Sequence, residues 1–118
     1  VQLDVSGAFH SRLMRPAQDG LTAAVNAAPM VDAATPVVGN AKAEVVRTAD
    51  ELRAELLQGL VQPVLWAKSV QTMAAAGVDT YVEVGPGRVL TGLVRRSTEG
   101  AKLVNLNSVA AIQKAAGG

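Results

Sequence analysis

The sequence contains no cysteine. That excludes a disulfide framework and any thiolate metal centre. It has a single histidine, His10, so a zinc site would need an unusual set of carboxylate ligands. Aromatic residues are nearly missing, at 3% of the chain: Phe9, Trp66 and Tyr81. Since 49% of the residues are hydrophobic, a core is available but must be aliphatic, built from Val, Leu, Ala and Met. No sign of charge dominates. The 11 basic and 10 acidic residues are spread along the chain and leave a net charge of +1, which argues against a nucleic-acid or membrane surface driven by charge. No apolar run reaches the roughly 18–20 residues of a membrane span. No basic region followed by an apolar one marks a secretory signal. There is no internal repeat and no low-complexity segment. At 118 residues the chain has the length of one ordinary domain, and the expected class is a soluble, cytoplasmic α/β protein. It opens directly in strand-like sequence, Val1-Gln2-Leu3-Asp4-Val5, in the manner of a piece cut from a larger protein.

What is present alternates between helical and strand patterns. From Leu13 to Ala28 the apolar residues Leu13, Met14, Ala17, Leu21, Ala24, Val25 and Ala28 recur at spacings of three and four, predicting an amphipathic helix with Pro16 in its first turn. Pro36-Val37-Val38-Gly39-Asn40 reads as a short buried strand that ends in a sharp turn, and Ala41 to Arg47 as a connection. Thr48-Ala49-Asp50-Glu51 is a capping box opening a helix with Leu52, Leu56, Leu57 and Leu60 on one face. Gln62-Pro63 breaks it. A further helix is expected from about Leu65 to Ala76, stopped by Gly77. Val78 to Val84 is the clearest strand, closed by the turn Gly85-Pro86-Gly87. A helix over Arg88 to Arg96, with Val89, Leu90, Leu93 and Val94 inward, is followed by a strand over Lys102 to Leu106. A last helix capped by Asn107 or Ser108 runs to about Ala116. The order β, α, β, α, α, β, α, β, α predicts a parallel sheet flanked by helices.

His10 is the main candidate for chemistry. It sits at a predicted strand-to-helix junction, where a side chain can face a cleft while its backbone is held on both sides. Its ordinary pKa suits proton transfer near neutral pH. A half-buried histidine satisfying a backbone carbonyl is an equally available reading. Ser11 beside it is a poor nucleophile partner, because adjacent residues rarely reach the required geometry, and no GxSxG elbow occurs. Gly39-Asn40 and Gly85-Pro86-Gly87 follow predicted strands, the usual place for ligands in open α/β sheets. Both can equally be turns that need glycine, and Asn40 can be either a turn former or a hydrogen-bond donor in a site. Gly85 to Gly87 is not a phosphate loop, since the GxxxxGK[ST] spacing is missing. The charges Asp50, Glu51, Arg53 and Glu55 read as a solvated helix face. These residues amount to a plausible general base with no nucleophile to serve.

Four segments together resemble the C-terminal part of the malonyl-CoA:acyl carrier protein transacylase family. They are Gly7-Ala8-Phe9-His10-Ser11 with Leu13-Met14 and Pro16-Ala17; Pro36-Val37-Val38-Gly39-Asn40; Gln62-Pro63-Val64-Leu65-Trp66 with Ser69-Val70; and Val82-Glu83-Val84-Gly85-Pro86-Gly87 with Val89-Leu90-Thr91-Gly92-Leu93. The resemblance implies an α/β-hydrolase-like large subdomain with a ferredoxin-like subdomain inserted in it. Residues 1–8 would end the insertion, and 9–116 would form the C-terminal part of the large subdomain. It implies a malonyl transferase of fatty acid synthesis acting through a malonyl-serine. The partners would be malonyl-CoA, acyl carrier protein and an upstream part of the same enzyme, with no cofactor, metal, nucleic acid or membrane. His10 takes the position of the family's base, and the backbone carbonyl of Gly59 that of its orienting acceptor. The family's nucleophilic serine, its carboxylate-binding arginine and its oxyanion-hole glutamine lie in segments that this chain does not contain. The isolated chain is therefore expected to be inactive. Phe9 and Asn40 fall at substrate-binding positions. Relatives with Ala-Phe-His favour malonyl and those with Ala-Ser-His favour methylmalonyl, consistent with Phe9 filling the space an α-methyl needs. The competing readings are a non-catalytic binding module and a thioesterase-like hydrolase of the same fold.

Overall fold

A computed structural model describes residues 7–117. The strand expected over Val1 to Val5 lies outside the described residues. The chain divides into two units, one up to Ser69 and the other from Val70.

In the first unit the helix expected from Leu13 begins differently. Residues Arg12–Ala17 form a 3₁₀ helix, and the α-helix proper, α1, spans Gln18–Ala27. Pro16 accounts for the tight start, because it has no N–H to give to an α-helical carbonyl one turn back. Ser11 caps the 3₁₀ segment by accepting from Leu13 N–H at 3.3 Å. Val25 is the residue of α1 that is buried, whereas Leu13 is 77% exposed.

The strand expected over Pro36 to Asn40 is only β1, Val37–Val38. It is not buried, since Val37 is 41% exposed. Its partner is Val45–Val46, β2, inside the stretch read as a connection. The two pair antiparallel, with Val37 opposite Val46 and Val38 opposite Val45. The loop between them is closed by Gly39 N–H donating to Glu44 O at 2.9 Å, and Ala43 takes a left-handed conformation (φ 59°) within it.

α2 spans Ala49–Gly59 and starts with the full capping box. Thr48 Oγ1 accepts from Glu51 N–H, and Glu51 Oε2 accepts from the N–H groups of Arg47 and Thr48 at 2.8 and 2.9 Å. α1 packs against α2. The helix α3, Trp66–Ala75, follows and ends at Gly77, whose φ of 88° suits a glycine stop.

The second unit holds the strands β3, Thr80–Val84, and β4, Lys102–Leu106. They pair in parallel from Thr80 opposite Lys102 to Val84 opposite Leu106, joined through the helix α4, Val89–Ser97. This is an α/β arrangement, but among the described residues the parallel pairing is confined to β3 and β4. A final helix, α5, Val109–Ala116, is capped by Ser108. The inward set expected for α4 is partly wrong: Val94 is buried, while Val89 is 72% and Leu90 42% exposed. The Glu83 carboxylate on β3 explains this. It accepts from the N–H groups of Leu90 and Thr91 at 3.1 and 2.8 Å and from the Thr91 hydroxyl. These bonds turn Thr91 toward β3, with Val94 one turn further along, and leave Val89 and Leu90 outside. Among the described residues no helix is long and apolar enough to cross a membrane.

Candidate active site

Pro63 sets the chemistry of the first unit from a distance. In a continuous helix the Gly59 carbonyl would accept from the N–H of residue 63, and proline has none. The helix ends, and the carbonyls of Gly59 and Leu60 are left without helical partners. His10 takes both. Its N–H donates to Leu60 O at 3.1 Å, and its Nδ1 lies 2.6 Å from Gly59 O.

A carbonyl oxygen only accepts, so Nδ1 must carry a proton, and in the neutral ring the lone pair is then on Nε2. The His10 backbone is left-handed (φ 60°), a conformation uncommon outside glycine and more accessible to histidine than to most residues. Strain of that kind costs on the order of 1–3 kcal/mol and gathers at functional positions. Here the two bonds to consecutive carbonyls hold it.

His10 is exposed at a cavity of about 310 Å³ whose walls include Phe9, Leu21, Asn40, Leu56 and Leu60. Phe9 is 62% exposed. Its ring folds back over Gly7, where a Cβ would sit 2.7 Å from the ring edge. The sequence candidates His10, Phe9, Asn40 and Gly59 thus come together around one cavity. Ser11 does not join them as a nucleophile. Its hydroxyl donates to Ala8 O at 2.7 Å and serves the turn.

The Asn40 backbone is fully engaged, its carbonyl accepting from Leu65 N–H at 2.8 Å. Its carboxamide has no hydrogen-bond partner among the described residues. Sequence reasoning missed Glu55, which was placed on a solvated face. Its Oε1 accepts from the N–H groups of Asn40 and Ala41 at 2.5 and 2.7 Å, and it lines the same cavity.

The Gly85-Pro86-Gly87 turn belongs to the second unit. Gly85 and Gly87 have φ of 127° and 92°, so glycine is required there by backbone geometry. Asn105 Nδ2 ties the turn to the strands, donating to Gly87 O at 3.0 Å and to Glu83 Oε2 at 3.1 Å. Among the described residues no group of three or more His, Asp or Glu side chains could hold a metal ion.

The chain is 36% identical over 115 residues to the malonyl CoA-acyl carrier protein transacylase of Bacillus subtilis (strain 168), covering 98% of this chain and 36% of that protein. Against the enzyme of the same name from Escherichia coli K12 it is 39% identical over 113 residues, covering 96% of this chain and 37% of the relative. The crystal structure of the Synechocystis sp. PCC 6803 malonyl-CoA:ACP transacylase matches with a TM-score of 0.90 at 32% identity, over 97% of this chain and 39% of that one. The chain is homologous to part of the malonyl CoA-acyl carrier protein transacylases. It spans a little over a third of the length of the transacylases it matches. No family model matches it.

Proposed function

We propose that this chain supplies the histidine half of an acyl-transfer site, in a protein that moves a malonyl group from coenzyme A to the phosphopantetheine thiol of acyl carrier protein. The observation that carries this reading is the His10 ring. Its Nδ1 is tied to Gly59 O at 2.6 Å, and its Nε2 is left to take a proton at a cavity. The relatives' names supply the substrates.

In this reading Nε2 accepts the proton of a serine hydroxyl contributed from outside this chain. The serine oxygen bonds to the malonyl thioester carbon, the carbon–sulfur bond breaks, and the coenzyme A sulfur leaves with the proton held by His10. In the second half the carrier-protein thiol gives its proton to Nε2. Its sulfur attacks the malonyl-serine ester, and the serine oxygen recovers the proton. Gly59 keeps the imidazole in one tautomer throughout. Phe9 narrows the acyl pocket, and Asn40 offers its carboxamide to the substrate.

The same reading makes residues 9–116 the C-terminal part of an α/β-hydrolase-like subdomain, residues 1–8 the end of a ferredoxin-like insertion, and the protein cytoplasmic. An arginine for the malonyl carboxylate and a glutamine for the oxyanion would also come from outside this chain.

The test is to incubate the protein that carries this chain with malonyl-CoA and then with acyl carrier protein bearing its phosphopantetheine. One malonyl adduct on serine is expected, passing to the carrier thiol, and greatly slowed in His10→Ala. Release of free malonate in place of transfer would favour the thioesterase reading. No adduct at all would favour a binding module.

A further inference from the structure

The carboxylate of Glu55 occupies the place where residue 39 would carry a side chain. A Cβ built on Gly39 would lie 2.5 Å from both Cδ and Oε2 of Glu55 and 2.9 Å from Oε1, well inside van der Waals contact. In that space the carboxylate accepts two successive backbone N–H groups, Asn40 at 2.5 Å and Ala41 at 2.7 Å. Bonds to an ionised acceptor are short and roughly twice as strong as neutral ones, and consecutive N–H groups form a small anion-binding concavity. The rest of the turn is fastened as well. Gly39 N–H donates to Glu44 O at 2.9 Å, and Ser69, 3% exposed, donates its hydroxyl to Gly39 O at 3.1 Å. The Asn40 carboxamide is the polar group of the turn with no partner among the described residues, and it lines the cavity that holds His10.

We propose that Glu55 is a positioning residue for the acyl-transfer site. It fixes the Gly39–Ala41 turn and so places the Asn40 carboxamide for the substrate beside His10, and Gly39 is matched to it, because a side chain there would have to displace the Glu55 carboxylate. This deepens the reading of the previous subsection and rests on it. Glu55 and Gly59 are four residues apart on α2 and therefore on one face of the helix. One helical face thus supplies both the acceptor that orients the base and the carboxylate that orients the opposite wall.

The test uses the protein that carries this chain, with ¹⁵N-labelled Asn and Ala. It compares Glu55→Ala, Glu55→Gln, Gly39→Ala and the double variant Gly39→Ala/Glu55→Ala. In Glu55→Ala the Asn40 and Ala41 amide protons should move upfield. KM for malonyl-CoA should rise about tenfold with kcat within about threefold, the pattern of lost substrate placement. Glu55→Gln keeps an acceptor oxygen and should restore most of the KM. Gly39→Ala alone should raise KM similarly, and it should add little in the Glu55→Ala background, because the clash is then gone. Unmoved amide protons in Glu55→Ala would overturn the contact. Moved amide protons with unchanged KM would overturn the positioning role. Additive effects of the two substitutions would overturn the matched pair. The acyl-transfer reading itself fails separately, through free malonate or no malonyl adduct in the unsubstituted protein, an outcome that leaves the amide-proton test of the Glu55 contact intact.

Discussion

His10 Nδ1 sits 2.6 Å from the carbonyl oxygen of Gly59, and that oxygen is free because the residue four positions on is Pro63. The His10 ring is thus oriented by the absence of a donor. If the ring takes up the serine proton, His10→Ala should lower malonyl transfer by about 10² to 10⁴ in the protein that carries this chain. Near-normal turnover, measured as carrier-protein malonylation per second, would return His10 to the role of a turn residue.

Pro63→Ala tests the same relationship from the other side. A restored N–H at position 63 can compete for Gly59 O and lets α2 run on. The imidazole then loses its acceptor and samples both tautomers. We expect kcat to fall about tenfold or more while KM changes little, with the His10 ring ¹⁵N shifts moving toward a tautomer average. Unchanged ring shifts would mean that proline is not what frees the carbonyl.

Phe9 precedes His10 and lines the same cavity. Phe9→Ser should raise kcat/KM for methylmalonyl-CoA relative to malonyl-CoA. One methyl group in a packed site is worth about 1–3 kcal/mol of discrimination. An unchanged ratio of kcat/KM for the two thioesters would remove the steric explanation.

What the sequence shows well is local. The Thr48 to Glu51 capping box, the Gly77 stop and the Ser108 cap all depend on residues within about four positions of each other, and all are present. The pairing of Val37–Val38 with Val45–Val46 was not visible, because two β-branched residues in a row carry no alternation to read. The rotation of α4 was misjudged for a similar reason. Periodicity names a face, but Glu83, seven residues before Leu90, decides which face turns inward. Glu55 looked like a surface charge because its partners are 14 and 15 residues away along the chain. In the candidate site, His10, Phe9, Asn40 and Gly59 were named from the sequence and line one cavity; Glu55, which lines it with them, was not named.

Glu83 should make the second unit acid-sensitive. Its carboxyl is held below the ordinary value of 4.5, chiefly by the Thr91 hydroxyl; burial opposes this as the next effect in size, and the Thr91 and Leu90 N–H groups and Asn105 lower it further. A depressed carboxylate stabilises the fold above its ordinary pKa, and that contribution fades as pH falls through the ordinary value to the folded one. Glu51 is lowered by the backbone N–H groups of Arg47 and Thr48 and acts in the same direction. Glu83→Gln should therefore lower Tm at neutral pH and flatten the fall in Tm below about pH 4.5. An identical slope in the variant would show that Glu83 carries none of the acid sensitivity.

The 118-residue chain alone should take no acyl group. There is no cysteine, and the described serines are spoken for. Ser11 donates to Ala8 O, Ser69 is 3% exposed and donates to Gly39 O, Ser97 donates to Leu93 O, and Ser108 caps α5. None of them lines the cavity of His10. Among the described residues no serine is in reach of His10, so the proximity that such a transfer depends on is missing there. The expected result is an unchanged protein mass after incubation with malonyl-CoA, whereas the longer protein acquires one malonyl group. A stable malonyl-serine on the 118-residue chain would overturn the division of the site between this segment and the rest of the protein, and its position would name the nucleophile directly.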